Sequence, residues 1–252
     1  GSAGVMFRDG LHQSLVHNHM NVDHQAYRPS VVFLNGEYWG IHNIREKLNE
    51  KYLEAHHQIN RDEVDLLSGY NTALDGHPGR YNSLVGFLDF HPLSGETNFS
   101  AVARQVDLRE FMDYQIIQIF VNNQDWPGNN IKFWRAHAPG SKWRWMLFDT
   151  DFGFGIWNFQ VTDNTLDFAL EPFGPGWPNP AWSTLMLRRL VENNGFRKQF
   201  SQRMITHLNI TFHPERVEGM VDSLANHIRP DMFRHLRRWS NEGIATWDSR
   251  VG

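Results

Sequence analysis

The sequence contains no cysteine. That absence removes disulfides, thiol nucleophiles and thiolate zinc sites together, and it leaves the redox compartment open. It also lacks an excess of positive charge. With 24 Lys and Arg against 28 Asp and Glu the formal charge is −4, so no broad basic surface exists for wholesale nucleic-acid binding. No apolar run approaches the roughly 20 residues of a membrane span, no secretory signal is present, and no internal repeat is visible. The chain starts at Gly1-Ser2-Ala3-Gly4 without a methionine. It therefore reads as a piece of a longer protein, whose targeting signals would lie elsewhere. What is present points to a folded domain: 40% hydrophobic residues, ten tryptophans and 252 residues, enough for one large domain or two small lobes.

The stretch richest in chemistry runs from Asn122 to Gly155. Asp125 is followed five residues later by Asn130, with Pro127 and Gly128 enforcing a tight loop between them. Ile131–Arg135 and Lys142–Phe148, rich in aromatic residues, flank a Pro139-Gly140-Ser141 turn and predict a β-hairpin. Asp149 and Asp151 follow, then Phe152-Gly153. In a strand, residues two apart share a face, so both carboxylates should point the same way. Carboxylates and amide oxygens are the ligands that Mg²⁺ and Mn²⁺ prefer. Protein kinases use the same order of parts: a catalytic-loop Asp, an Asn five residues on, a hairpin, then a metal-binding Asp before Phe-Gly. Asp and Asn also crowd ordinary turns, so spacing alone leaves open a set of turn caps at a polar hairpin mouth.

Along the rest of the chain, Met6–His17 predicts a helix with Phe7, Leu11 and Leu15 in one stripe, and Arg8-Asp9 as surface or helix-end charges. His17, His19 and His24 have no acid at ligand spacing and read as solvated rather than zinc-binding. Asn35-Gly36 between hydrophobic runs predicts a hairpin of Val31–Leu34 with Tyr38–Ile44. Its second strand delivers Arg45-Glu46-Lys47, either solvated charges at a helix entry, an ion pair, or a carboxylate aimed at a nucleotide cleft. A helix follows from Asn49 to His57, then a strand over 62–68, a loop over 69–79 and a helix over 81–90. A second loop spans 91–100, and Asp107 caps an apolar helix to Val121 that feeds the Asp125 loop. Phe168–Trp182 reads as an ordered loop over the site. Helices follow over 183–193 and 196–208, broken at Asn194-Gly195, and from Pro214 to Ile228, interrupted at Pro230. Arg234–Arg238 reads as a solvated helix face.

Assembled, three segments resemble the CotH family of atypical protein kinases: V-V-F-L-N-G-E-Y-W-G-I-H-N-I-R-E-K, D-W-P-G-N-N and K-W-R-W-M-L-F-D-T-D-F-G. They fall in the family's order over the first two-thirds of the chain, and their flavour is that of the bacterial branch found in multidomain secreted or surface proteins. The resemblance implies an α+β, kinase-like fold. Residues 1–105 would hold a small, truncated antiparallel N-terminal sheet, and 106–252 a mostly helical C-terminal lobe. It implies ATP- and Mg²⁺- or Mn²⁺-dependent phosphate transfer to protein Ser/Thr hydroxyls. Asp125 would match the catalytic-loop acid, Asn130 the metal-binding amide and Asp149 the first acid of the family's W-D-x-D, with Asp151 as a second ligand. Glu46, Lys47, Asn129 and Lys132 are the candidate nucleotide contacts. The family's lysine-bearing strand precedes the segment equivalent to Met6, so this chain alone is expected to transfer phosphate slowly or not at all. Two other readings stand beside this one: a non-catalytic kinase-like module binding partners or glycans, and a metal-dependent hydrolase using the same acids.

Overall fold

The computed structural model describes residues 4–156, 161–176 and 179–251. Helix α1 (Arg8–Val16) forms where expected, burying Leu11 and Leu15 one turn apart. Asn35 and Gly36 both take positive φ, 51° and 84°, the turn that matches strand twist. They join β2 (Tyr27–Leu34) to β3 (Glu37–Arg45) in a separate two-stranded antiparallel sheet. Gly40, at φ 142°, lets the hairpin close on the long helix that ends at Trp239, since a Cβ there would lie 2.8 Å from Trp239 Nε1.

The larger sheet has the order β1-β7-β6-β4-β5 and draws strands from both sides of residue 105. Its members are β1 (Asp23–His24), β4 (Val64–Ser68), β5 (Thr72–Asp75), β6 (Lys132–Ala136) and β7 (Arg144–Leu147). Only the β1–β7 pair is parallel; β6 runs antiparallel to both β4 and β7. The sheet is covered on both faces, which is why β7 reads as a continuous apolar run rather than an alternation. Trp134 and Met146 pack with Leu48 and with Tyr52 and Leu53 of α2 (Glu50–His57) on one face. Phe133 and Trp145, paired in register, face the main core with Tyr81 of α3 (Gly79–Phe90). Phe111 and Tyr114 of α5 (Leu108–Phe120) join them there. Asp107 caps α5 by accepting the Glu110 N–H at 3.2 Å.

Five local expectations are corrected. The 69–79 loop contains β5, an exposed edge strand whose T-A-L-D sequence carries no buried face to signal it. The 91–100 loop contains the start of α4 (Glu96–Ala103), which buries only Val102. Phe168 lies in α6 (Thr165–Leu170) rather than in loop; α7 (Trp182–Leu190) follows it. The 183–193 helix ends earlier than expected, and Asn193 caps α8 (Asn194–Asn209), so Asn194-Gly195 begins that helix rather than breaking it. Pro230 does not interrupt α9 (Pro214–Trp239). Ala225, Ile228, Met232 and Leu236 keep one buried stripe across the proline, and that packing outweighs one lost backbone hydrogen bond. A last helix, α10 (Ile244–Val251), follows. Among the described residues no helix is long and apolar enough to cross a membrane. Trp177 and Pro178 of the aromatic segment, and Gly1–Ala3, lie outside the described residues.

Candidate active site

The apolar helix α5 ends at Phe120 and hands the chain to a loop held at nearly every residue. Asn123 is fully buried; its Oδ1 accepts the Asp125 N–H at 3.1 Å while its Nδ2 donates to Gln118 Oε1 at 2.9 Å. Trp126 sinks into the core at 1% exposure, ahead of a cis Pro127. From the Pro-rich segment, buried Asn179 reaches over the loop. Its Oδ1 accepts the Gly128 N–H at 2.6 Å and its Nδ2 donates to Gln124 O at 3.2 Å. The expected packing of that segment over the site thus has a definite contact.

Asp125 Oδ2 accepts two amides, Asn129 Nδ2 at 2.8 Å and Asn130 Nδ2 at 2.7 Å. Asn130 Nδ2 also donates to the Asp149 carbonyl at 3.2 Å, so the loop and the exit of β7 meet at one hairpin mouth. Asn130 (φ 50°) and Asp149 (φ 51°) are both left-handed, a conformation that Asn and Asp tolerate better than other side chains. Strand β7 stops at Leu147, so the shared-face argument for Asp149 and Asp151 does not apply. Past the left-handed Asp149, the Asp151 carboxylate still lies close enough to act on the Asp149 carboxyl. The Asp149 carboxyl is pushed up to about 6, first by burial and then by the charges of Asp151, Asp9 and Asp125.

Helix α1 supplies what the sequence reading missed. Arg8 Nη1 donates to Gly153 O at 2.7 Å and Phe154 O at 2.9 Å. Asp9, expected at the surface, is largely buried and pairs with Arg45. Its Oδ1 accepts from Thr150 N at 2.8 Å and Thr150 Oγ1 at 2.7 Å. His12 is fully buried and 2.8 Å from Thr150 Oγ1; burial before all else lowers it to about 4, so it is neutral. The only sequence signal for this group was the Phe7–Leu11–Leu15 stripe, which placed α1 in the core without showing what its polar side chains touch. Gly153 fits between α5 and α1 because a Cβ there would lie 2.6 Å from Val121 O and 3.1 Å from His12 Cε1.

The candidate nucleotide contacts divide. Asn129 belongs to the cluster just described. Lys132 Nζ sits 4.6 Å over the Phe148 ring, with one long hydrogen bond of 3.5 Å to Leu48 O. Burial, and then Lys47 nearby, hold its ammonium below the usual lysine range, so the two cations lie close together. Glu46 shares no hydrogen bond with the Asp125 cluster. It accepts from Ala26 N at 2.8 Å and meets His56 Nε2 at 2.8 Å, in a hollow of about 530 Å³ that also holds His17 and His24. The basic run on α9 is not simply solvated: Arg234 stacks 4.1 Å over Tyr38, Arg238 4.5 Å over Trp39, and His235 accepts the Ile41 N–H.

Among the described residues no three His, Cys, Asp or Glu side chains enclose a metal ion by themselves. Mg²⁺ does not need such a cage, since it keeps waters and uses one or two carboxylates plus substrate phosphates. Asp149 and Asp151 fit that pattern: two adjoining acids, neither in a salt bridge among the described residues, with the Asp149 carboxyl resisting ionisation first through burial and then through the neighbouring acids. The Asn130 Nδ2 is turned to Asp125 and to the Asp149 carbonyl, which leaves its Oδ1 as the atom that would serve as an amide ligand.

The sequence profile described as CotH kinase protein matches residues 4–252, essentially the whole chain, and the chain belongs to that family. No curated protein matches it. The mixed helix-and-sheet architecture is consistent with a kinase-like fold, and the family assignment makes this a kinase-like domain.

Proposed function

We propose, from membership of the CotH kinase family and from this cluster, that the chain is one kinase-like domain transferring phosphate from ATP to Ser/Thr hydroxyls of a protein substrate. The observation that carries the proposal is the convergence of Asp125, Asn130 and Asp149 at one hairpin mouth through direct hydrogen bonds. Asp125, aimed by Asn129 and Asn130, is assigned to accept the proton of the attacking hydroxyl. Asn130, Asp149 and Asp151 would hold Mg²⁺ or Mn²⁺, which when bound neutralises charge on the transferring phosphate. Lys47 and Lys132, close together and without a carboxylate partner among the described residues, are assigned to the phosphates of the nucleotide. Glu46, tied to His56 and Ala26, is assigned to holding the segment that carries Lys47. The family branch suggests a bacterial secreted or surface setting.

The test is incorporation of radiolabelled phosphate from ATP into a Ser/Thr-rich protein with Mg²⁺ and with Mn²⁺. Incorporation should require metal and vanish in Asp149→Asn. Equal incorporation by Asp149→Asn would remove the mechanism, and a protein binding neither nucleotide nor metal would be a non-catalytic module.

A further inference from the structure

We infer that Asp9 is the positioning residue of the acidic loop: its carboxylate fixes Thr150, and through Thr150 the directions of the flanking Asp149 and Asp151. The inference rests on the reading of that pair as metal ligands. Nothing in the sheet orients them, because β7 ends at Leu147 and Asp149 turns left-handed. What orients them is one face of α1. Asp9 Oδ1 takes both the N–H and the hydroxyl of Thr150, at 2.8 and 2.7 Å. Since the Thr150 hydroxyl proton goes to Asp9, its oxygen accepts from His12 Nδ1 at 2.8 Å. Thr150 is fully buried, so this residue has no competing water. Arg8 secures the far end of the loop at Gly153 and Phe154. The other carboxylate oxygen of Asp9 pairs with Arg45 at the end of β3. One buried acid therefore fastens the loop to α1 and α1 to the hairpin.

The charges around the loop are Asp9, Asp125, Asp149 and Asp151, with Arg8 acting on Asp151 and Arg45 on Asp9. These two cations, Arg45 paired with Asp9 and Arg8 bonded to the Gly153 and Phe154 carbonyls, do not neutralise four acids. A cation between Asp149 and Asp151 therefore depends on both being aimed at it, and the threonine between them sets that aim.

The experiment uses the whole chain and Mn²⁺ as the probe, followed by loss of the free-ion paramagnetic resonance signal. Amide hydrogen exchange over residues 149–154 is read in parallel without metal. Thr150→Val, which keeps shape and loses the hydroxyl, should weaken Mn²⁺ binding about tenfold or more, as removal of a partner behind metal ligands does. Thr150→Ser, which keeps the hydroxyl, should stay near the wild type. Asp9→Asn should weaken Mn²⁺ binding and speed exchange at Thr150 beyond any change elsewhere in the chain. Wild-type Mn²⁺ affinity in Thr150→Val overturns the inference. So does an exchange increase in Asp9→Asn spread evenly over the protein, since that marks a purely structural contact. If even the wild type binds no Mn²⁺, the metal reading fails by itself, and localised against uniform exchange still decides the role of Asp9.

Discussion

The side-chain amide of Asn130 lies 2.7 Å from the carboxylate of Asp125 and 3.2 Å from the carbonyl of Asp149. One residue thus joins the candidate proton acceptor to the candidate metal loop. Asn130→Asp should keep the backbone, because Asp also tolerates φ near 50°, but it replaces a donor with a repelling acid. Asp125→Asn instead leaves the metal side intact. In a phosphate-transfer assay Asp125→Asn should lose roughly 10²–10⁴-fold in rate while nucleotide affinity holds. Asn130→Asp should lose rate and metal affinity together. Parallel losses of nucleotide affinity in both variants would contradict this division of roles.

Asp149 gives the site a pH dependence. Its folded-state value, about 6, lies above the ordinary 3.8, so the fold holds this proton more tightly than the unfolded chain does. That contribution to stability is full below about pH 4 and is lost as pH rises through 6. At pH 8 the ionised acid therefore strains the fold. Asp149→Asn should melt higher than wild type at pH 8, by about 2 °C or more, and the gain should shrink at pH 4. Added Mg²⁺ should raise the melting temperature of the wild type at pH 8 and leave the variant unmoved. A destabilised Asp149→Asn at pH 8 would rule out the repulsion.

Asn179 tests the role of the Pro-rich segment. Its removal strips partners from the half-buried Gly128 N–H and Gln124 carbonyl, and hydrogen bonds of this kind contribute about 0.5–1.5 kcal/mol each. Asn179→Ala should lower the melting temperature and expose the 124–128 loop to limited proteolysis first. Cleavage beginning elsewhere would show that the segment does not hold the loop.

Gly153 sits where α5 and α1 meet. Gly153→Ala sets a methyl against the Val121 carbonyl at 2.6 Å, backbone that cannot swing away, so about 1–3 kcal/mol of stability should go. Metal affinity should fall with it. A variant melting like the wild type would mean the loop adjusts without strain.

The sequence showed the parts whose signals are local. The Asn35-Gly36 turn, the Asp107 cap and the 131–148 hairpin each rest on a few neighbouring residues, and each stands where expected. Asp125, Asn130 and Asp149 were legible because loop, hairpin and turn fix their separation along the chain. Asp9, His12 and Thr150 were not. Their contacts span about 140 positions, and an Arg-Asp pair at a helix start looks the same whether solvated or buried. Glu46 shares no hydrogen bond with the Asp125 cluster and is instead held by His56, in the last turn of the next helix. Pro230 misled for the reverse reason: a local rule gave way to a buried stripe that only the tertiary structure displays.

The central claim, that Asp125, Asn130, Asp149 and Asp151 form a metal-dependent nucleotide site, is tested most directly by calorimetry of ATP binding with and without Mg²⁺, in the wild type and in Asp149→Asn. The account predicts that Mg²⁺ strengthens ATP binding to the wild type about tenfold or more, at least 1.4 kcal/mol, and that Asp149→Asn loses this increment. ATP binding that ignores Mg²⁺, or an increment that survives Asp149→Asn, would contradict it.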